Sequence, residues 1–297
     1  MPSTPETSRG YLFAAIAFGS WGFAPLYFRM MGHFPAGEML AHRILWSGVA
    51  LIVLVLAFQR IEAFKAIFND RKLVLRMLFS GVLIACNWGL YLWAVVNGHV
   101  LESSLGYYIN PLFNVALGAL ILKERLSGRR KIAIGVAGVG VIAMLAGGGN
   151  YLWISLLLAS SFSVYGLVRK MTPVDPLTGL LFETMLSAPF AFAYLAYVSA
   201  QTGQVSGTAD SFVMVLLLGT SLVTTIPLLA FNAAAKRLDY ATLGICQYLS
   251  PSLQFLLAVT VFGEAFTYGH ALAFGCIWIG LALYTSDIIR QARTQKL

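Results

Sequence analysis

The chain has 297 residues, 59% of them hydrophobic and 11% charged, with a formal net charge of +8 and three cysteines. A soluble domain is about 25% charged, so this composition excludes a water-soluble globular fold and points to lipid. Cys86, Cys246 and Cys276 fall inside apolar runs with no CxxC pair, which excludes a disulfide framework and a metal knuckle and leaves them as buried small side chains.

A bilayer core of about 30 Å is crossed by about 20 apolar residues at the helical rise. Ten such windows follow one another: 10–31, 37–58, 73–96, 104–123, 129–147, 151–170, 175–199, 212–235, 242–263 and 267–289. The links between them are short. In hydrocarbon every backbone amide needs an internal partner, which leaves helices or closed barrels, and none of the windows alternates like a barrel strand. The opening "MPSTPETSRG" leads into an apolar run of full span length without a small-residue cleavage pattern, so it is read as a span rather than a signal peptide. The predicted fold class is all-α integral membrane, with ten transmembrane helices.

Every Lys and Arg except Arg29 and Arg43 falls in a segment on the same side as the N-terminus, whereas the links "GGGNY" and "SAQTGQVSGTADS" have neither. By the positive-inside rule both termini are cytoplasmic. The net positive charge is an orientation signal and not a nucleic-acid footprint.

An internal repeat appears at an offset of 140 residues: "YYINPLFNVALGALILKERLS" around Pro111 and Glu124 resembles "QYLSPSLQFLLAVTVFGEAFT" around Pro251 and Glu264. The same offset pairs Arg29 with Arg169, Tyr91 with Phe231 and Arg43 with Glu183. Each copy holds five windows, an odd number, so the second unit is inverted relative to the first. Two inverted five-helix repeats are therefore expected, at residues 1–146 and 147–297. Folds of this type place a solute site near the bilayer midplane between the units.

The order "GYLFAAIAFGSWGFAPLYFR", "PAGEMLAHRILWS", "ESSLGYYINPLFNVALGALILKERLS" and "QYLSPSLQFLLAV" resembles the RarD family of EamA-type proteins in the drug/metabolite transporter superfamily. The resemblance covers about residues 9 to 289, and "HRILWS" with "SLGYYINP" carries the RarD branch. It implies a bacterial inner-membrane permease with two EamA units, from a family often labelled chloramphenicol-sensitivity protein.

An ionisable side chain at mid-membrane costs about 2.5–3.5 kcal/mol on insertion scales, so each such residue needs a reason. Arg43 lies about six residues, near 9 Å, inside the outer end of its window. It either snorkels to the outer interface or pairs with Glu38 or a backbone carbonyl, or it attracts an anionic solute at the outer mouth of a cavity. His42 points about 100° away from it and pairs with Glu38. Glu183 occupies the matching position in the second unit; it either titrates during transport or makes a buried structural bond to an Arg or Tyr. Arg29, Arg169 and Glu124 read as interface residues.

Tyr107, Asn110, Pro111 and Asn114 share one helical face at i, i+3, i+4 and i+7, and Gln247, Ser250, Pro251 and Gln254 repeat the pattern. These faces are expected to line a central cavity, with helix breaks at Pro111 and Pro251. Asn87, Tyr91, Asn232 and Trp21 are further candidates for the solute path.

No P-loop and no HExxH occurs, and "GVGVIA" has no strand before it, so ATP hydrolysis, metalloprotease chemistry and dinucleotide binding lack their parts. No cofactor or metal is expected. The predicted function is secondary transport of a small organic solute such as an amino acid, metabolite or drug, by alternating access. A membrane-embedded enzyme and a non-transporting sensor are the alternatives. Expected partners are a small-molecule substrate, the lipid bilayer and protons, with the chain acting as a monomer or dimer and binding no nucleic acid.

Overall fold

The computed structural model describes residues 5–30, 35–96, 99–145, 152–203, 211–261, 275–276, 278–287 and 290. All regular structure among them is helical. The helices are α1 (Pro5–Arg29), α2 (Ala36–Ala57), α3 (Ile61–Ile67), α4 (Arg71–Val96), α5 (Val100–Leu120), α6 (Gly128–Leu145), α7 (Leu152–Met171), α8 (Pro176–Thr202), α9 (Ser211–Ala235), α10 (Tyr240–Gln247) and α11 (Leu249–Thr260). Residues 278–287 are also helical. Among the described residues, five helices are long and apolar enough to cross a membrane: α1, α2, α4, α8 and α9. α3 is an addition to the expected elements. It is a short helix whose Ile67 is buried against Met77, Val174 and Phe182.

Local chemistry sets several helix ends. Asp175 caps α8, accepting from the Leu177 and Thr178 amides, with Pro176 in the first turn and Gly203 closing the helix in the left-handed region at φ 79°. At the end of α7, Lys170 donates to the Ala235 carbonyl at the end of α9 at 3.0 Å, and Lys236 donates to the Thr172 carbonyl just past α7. Each helix thus receives a cation at its negative end from the other. Burial, followed by the nearby Arg169 and Lys170 charges, pushes the Lys236 ammonium down to about 8.

The expected break at Pro251 is present, three residues upstream of the ring. Pro251 has no N–H to give to the Gln247 carbonyl, and α10 ends at Gln247. The Tyr248 amide turns back to Ile245 at 3.2 Å, and α11 begins at Leu249. Pro111 is different, since α5 runs unbroken across it from Val100 to Leu120. A membrane helix tolerates a proline where neighbouring helices hold the flanking turns, and α7 and α10 pack against α5 here.

The packing pairs α2 with α8 and α9, α1 with α9 and α11, α5 with α7 and α10, and α4 with α7 and α8. At mid-height an aromatic cluster joins three of these helices, α1, α7 and α9. Phe231 has its ring centroid 5.2 Å from Phe162, 6.0 Å from Trp21, 6.1 Å from Phe18 and 6.4 Å from Tyr165. This layer separates two polar regions, one at each end of the bundle.

The closest backbone approach of α10 to α5 is at Gly244, where an added Cβ would lie 2.8 Å from the Pro111 carbonyl oxygen and 2.8 Å from Asn114 Cβ. A larger side chain there has no space. Gly244→Val is expected to cost about 1–3 kcal/mol by overpacking, read as a lowered Tm of the purified protein. Gly89→Ala, at a glycine with nothing within 4 Å, is expected to leave Tm near the parent value.

Candidate solute cavity

One polar region is a cavity of about 220 Å³. The far half of α1 gives it Trp21, Ala24, Pro25 and Phe28, and the second turn of α2 gives Arg43. The end of α4 supplies Asn87, Trp88 and Tyr91, and the start of α5 supplies Tyr107. Phe162 of α7 and Val223, Thr224 and Leu228 of α9 close one wall. Gln247, Ser250, Pro251 and Gln254 line it from the α10/α11 break. Arg43 is the charged member of this lining.

The Arg43 guanidinium stacks over the Trp88 ring with its carbon 4.8 Å from the ring centroid. Its Nε is buried without a hydrogen-bond partner, and no described carboxylate lies within ion-pair distance of it. The expected pairing of Arg43 with Glu38 is therefore not among the described ion pairs. Glu38 and His42 are themselves buried, at 4% and 7% exposure. The Tyr91 and Tyr107 rings meet edge to face at 6.0 Å beside the guanidinium.

The amides are held by the protein. Asn87 donates to the Leu158 carbonyl and to Ser161, both at 2.9 Å, and Gln254 donates to the Trp21 carbonyl at 2.9 Å. Gln247 accepts from Asn114 at 2.8 Å. These bonds fix the wall before any solute arrives.

The second polar region, at the opposite end, is a packed network of side chains. Arg169 Nε lies 3.5 Å from Glu183 Oε1, and both side chains are essentially sealed from solvent. Glu183 also accepts from Ser80 at 2.6 Å and from the Tyr165 hydroxyl at 3.1 Å. Arg169 donates to Asn232 Oδ1 at 3.4 Å, to Met77 Sδ at 3.1 Å and to the Asp175 carbonyl at 3.4 Å. Asn232 in turn donates to the Tyr165 hydroxyl at 3.0 Å. Gly179 leaves the space that the guanidinium fills, since a Cβ there would collide with it.

Of the residues expected along the solute path, Arg43, Asn87, Tyr91, Tyr107, Gln247, Gln254, Trp21 and Pro251 meet around the cavity, and five do not. Glu183 and Asn232 belong to the sealed network. Asn110 accepts from Ser163 at 2.8 Å, Asn114 is spent on Gln247, and Pro111 presents its carbonyl to Gly244. They fail to line the cavity because α7 and α10 cover that stretch of α5. Arg169, expected at an interface, is fully buried. Its placement was legible in one signal: Phe162, Tyr165, Gly166 and Arg169 fall at i, i+3, i+4 and i+7, one face of α7.

Glu124 was also misplaced as a solvated interface group. Its carboxylate accepts from the Tyr240 amide at 2.6 Å and the Ala241 amide at 2.9 Å, capping α10 from another part of the chain. Its repeat counterpart, Glu264, lies outside the described residues.

Removing one member of a buried ion pair leaves the other uncompensated, at about 3–5 kcal/mol, whereas replacing both with apolar residues is often near neutral. Glu183→Gln is therefore expected to lower Tm sharply, and Arg169→Met combined with Glu183→Leu to recover much of the loss. A double-mutant cycle on thermal unfolding measures the coupling.

Residues 8–146 match the EamA-like transporter family. Over 292 residues the chain is 41% identical to Protein RarD of Escherichia coli, spanning 98% of this chain and 99% of that one. It is 41% identical over 293 residues to an uncharacterized transporter of Pseudomonas aeruginosa, spanning 98% of each chain. A solved crystal structure superposes with a TM-score of 0.70 at 20% identity over 94% of this chain and 97% of its own, a likeness of fold. The matched family is one of transporters, and the Pseudomonas aeruginosa relative is named a transporter. With near-complete coverage at this identity, the chain belongs to the EamA-like transporter family, alongside the RarD proteins, and is a multi-pass membrane transporter.

Proposed function

We propose that this protein is a secondary transporter that moves a small organic solute across the bacterial inner membrane by alternating access, with the Arg43 cavity as its solute site. The observation that carries this reading is the contrast between the two halves of the bundle. One half holds a cavity with fixed amides, aromatic rings and a cation, and the other is filled by Arg169, Glu183, Tyr165, Asn232 and Ser80.

The two-unit reading, residues 1–146 and 147–297, draws support from the helix packing. Exchanging α1 with α7, α2 with α8, α4 with α9 and α5 with α10/α11 carries each major contact onto another. The α1–α9 pair becomes α7–α4, α5–α7 becomes α11–α1, and α2–α9 becomes α8–α4; α2–α8 and α5–α10 map onto themselves. A pseudo-two-fold of this kind lets one unit's open half-path become the other's in the alternate state. With both termini cytoplasmic, as the Lys and Arg distribution favours, the cavity faces outward and the Arg169–Glu183 region is the closed cytoplasmic side.

Glu183 is the acid placed to couple flux to a proton gradient. Protonating it removes the charge that holds Arg169 and loosens the bond from Tyr165, which stacks on Phe231, the ring packed behind Trp21 and Phe162 of the cavity lining.

In proteoliposomes loaded with labelled small organic solutes, the protein is expected to catalyse flux under a solute or pH gradient. Arg43→Ala is expected to lower that flux at least about tenfold while Tm stays near the parent value, since the guanidinium makes no polar bond to lose. Absence of flux for every solute class under every gradient would remove the transport reading.

A further inference from the structure

From the chemistry of the Arg43 cavity, and resting on its reading as a solute site, we infer that its ligand is a small, singly charged aromatic carboxylate: a net monoanion with one ring, not a zwitterion, a cation or a polyanion.

The charge comes first. Among the described residues, the cavity lining holds Arg43 and no Asp or Glu. A cation held inside the bundle without a counter-ion is costly, and the fully buried arginine of this protein, Arg169, has its carboxylate at 3.5 Å. Arg43 has none among the described residues, and its buried Nε has no acceptor. The missing partner is an anionic oxygen pair, and a guanidinium takes a carboxylate bidentately. One arginine balances one negative charge. A dianion would leave a charge uncompensated, and an amino-acid zwitterion would leave the net +1 of the site unchanged, with no acid among the described lining residues to receive its ammonium.

The ring follows from the walls. Trp21, Trp88, Tyr91, Tyr107 and Phe162 present aromatic surface around the guanidinium. Trp88 is stacked against Arg43 at 4.8 Å, which fixes the guanidinium plane before a ligand arrives. Aromatic faces favour an aromatic partner at offset or edge-on geometry. Size limits it to one ring, because a cavity of about 220 Å³ is smaller than the roughly 300–1,000 Å³ of sites for drug-sized molecules.

The test is equilibrium binding to the full chain in detergent or nanodiscs, by calorimetry or thermal shift, with a charge series built on one ring. The series is benzoate, the neutral isostere benzamide, the cation benzylamine, the zwitterion phenylalanine and the dianion phthalate, with cyclohexanecarboxylate as the non-aromatic control. Benzoate is expected to bind about 10- to 100-fold tighter than benzamide, the span of a hydrogen bond to a charged group, and tighter than every other member. Arg43→Gln is expected to bring benzoate down to the benzamide level, with Arg43→Lys between. Benzamide or phenylalanine binding as tightly as benzoate to the parent protein overturns the inference, as does a lack of benzoate binding, and neither result needs a variant to fold. Failure of the transport reading has a separate signature: Arg43-dependent benzoate binding without flux. Flux of neutral or zwitterionic solutes with benzoate unbound preserves transport and rejects the anion.

Discussion

A membrane interior offers no water to compensate a charge, and this protein buries two arginines in its helix bundle under opposite conditions. Arg169 is surrounded by Glu183, Asn232, Met77 and the Asp175 carbonyl, so its charge is answered in place. Arg43 has an aromatic face on one side and open space on the other. The remaining architecture follows from this difference. Where the charge is answered the helices close completely, and where it is not they stand apart and leave room for a solute.

The two regions are mechanically joined. Tyr165 gives its hydroxyl to Glu183 and receives the Asn232 amide, and its ring stacks on Phe231 at 16° between planes. Phe231 in turn packs against Trp21 and Phe162, which line the cavity. A shift of the cavity floor is thus felt at the acid through two rings and one hydroxyl. The α10/α11 break adds a second link, because Gln247 faces the cavity while Asn114, which holds it, packs against Gly244.

Much of this was legible in the sequence because the bilayer imposes simple rules. Length and apolarity predicted an all-helical membrane protein, and five of the expected spans are helices long and apolar enough to cross a membrane among the described residues; a charge inside a span marked Arg43 and Glu183. The i, i+3, i+4, i+7 polar faces marked Tyr107, Gln247 and Gln254. What periodicity does not encode is which neighbour covers a face. Asn110 and Tyr107 share a stripe of α5, yet Ser163 of α7 takes the first and the cavity takes the second. Likewise a proline states that one backbone bond is lost, not whether the helix breaks. Pro251 ends α10, whereas α5 continues through Pro111. Glu124 went unrecognised as a cap because its partner amides lie 116 and 117 residues away.

The repeat offset places Arg43 and Glu183 at corresponding positions, so the two half-paths of an inverted pair have the same shape but opposite charge at that point. On the two-unit reading, this asymmetry gives the transport cycle a preferred order. A solute anion that meets Arg43 in one state meets a carboxylate at the matching depth in the other. It is therefore held on one side and repelled on the other for as long as Glu183 remains ionised. Arg169 tempers that repulsion only while it stays in contact, and opening the sealed half separates the helices that keep it there. Release toward that side is then favoured electrostatically, and the reverse journey is aided when Glu183 takes up a proton. On this proposed two-unit, alternating-access reading, a symmetric backbone carries an asymmetric charge pattern, and direction resides in the side chains at positions 43 and 183.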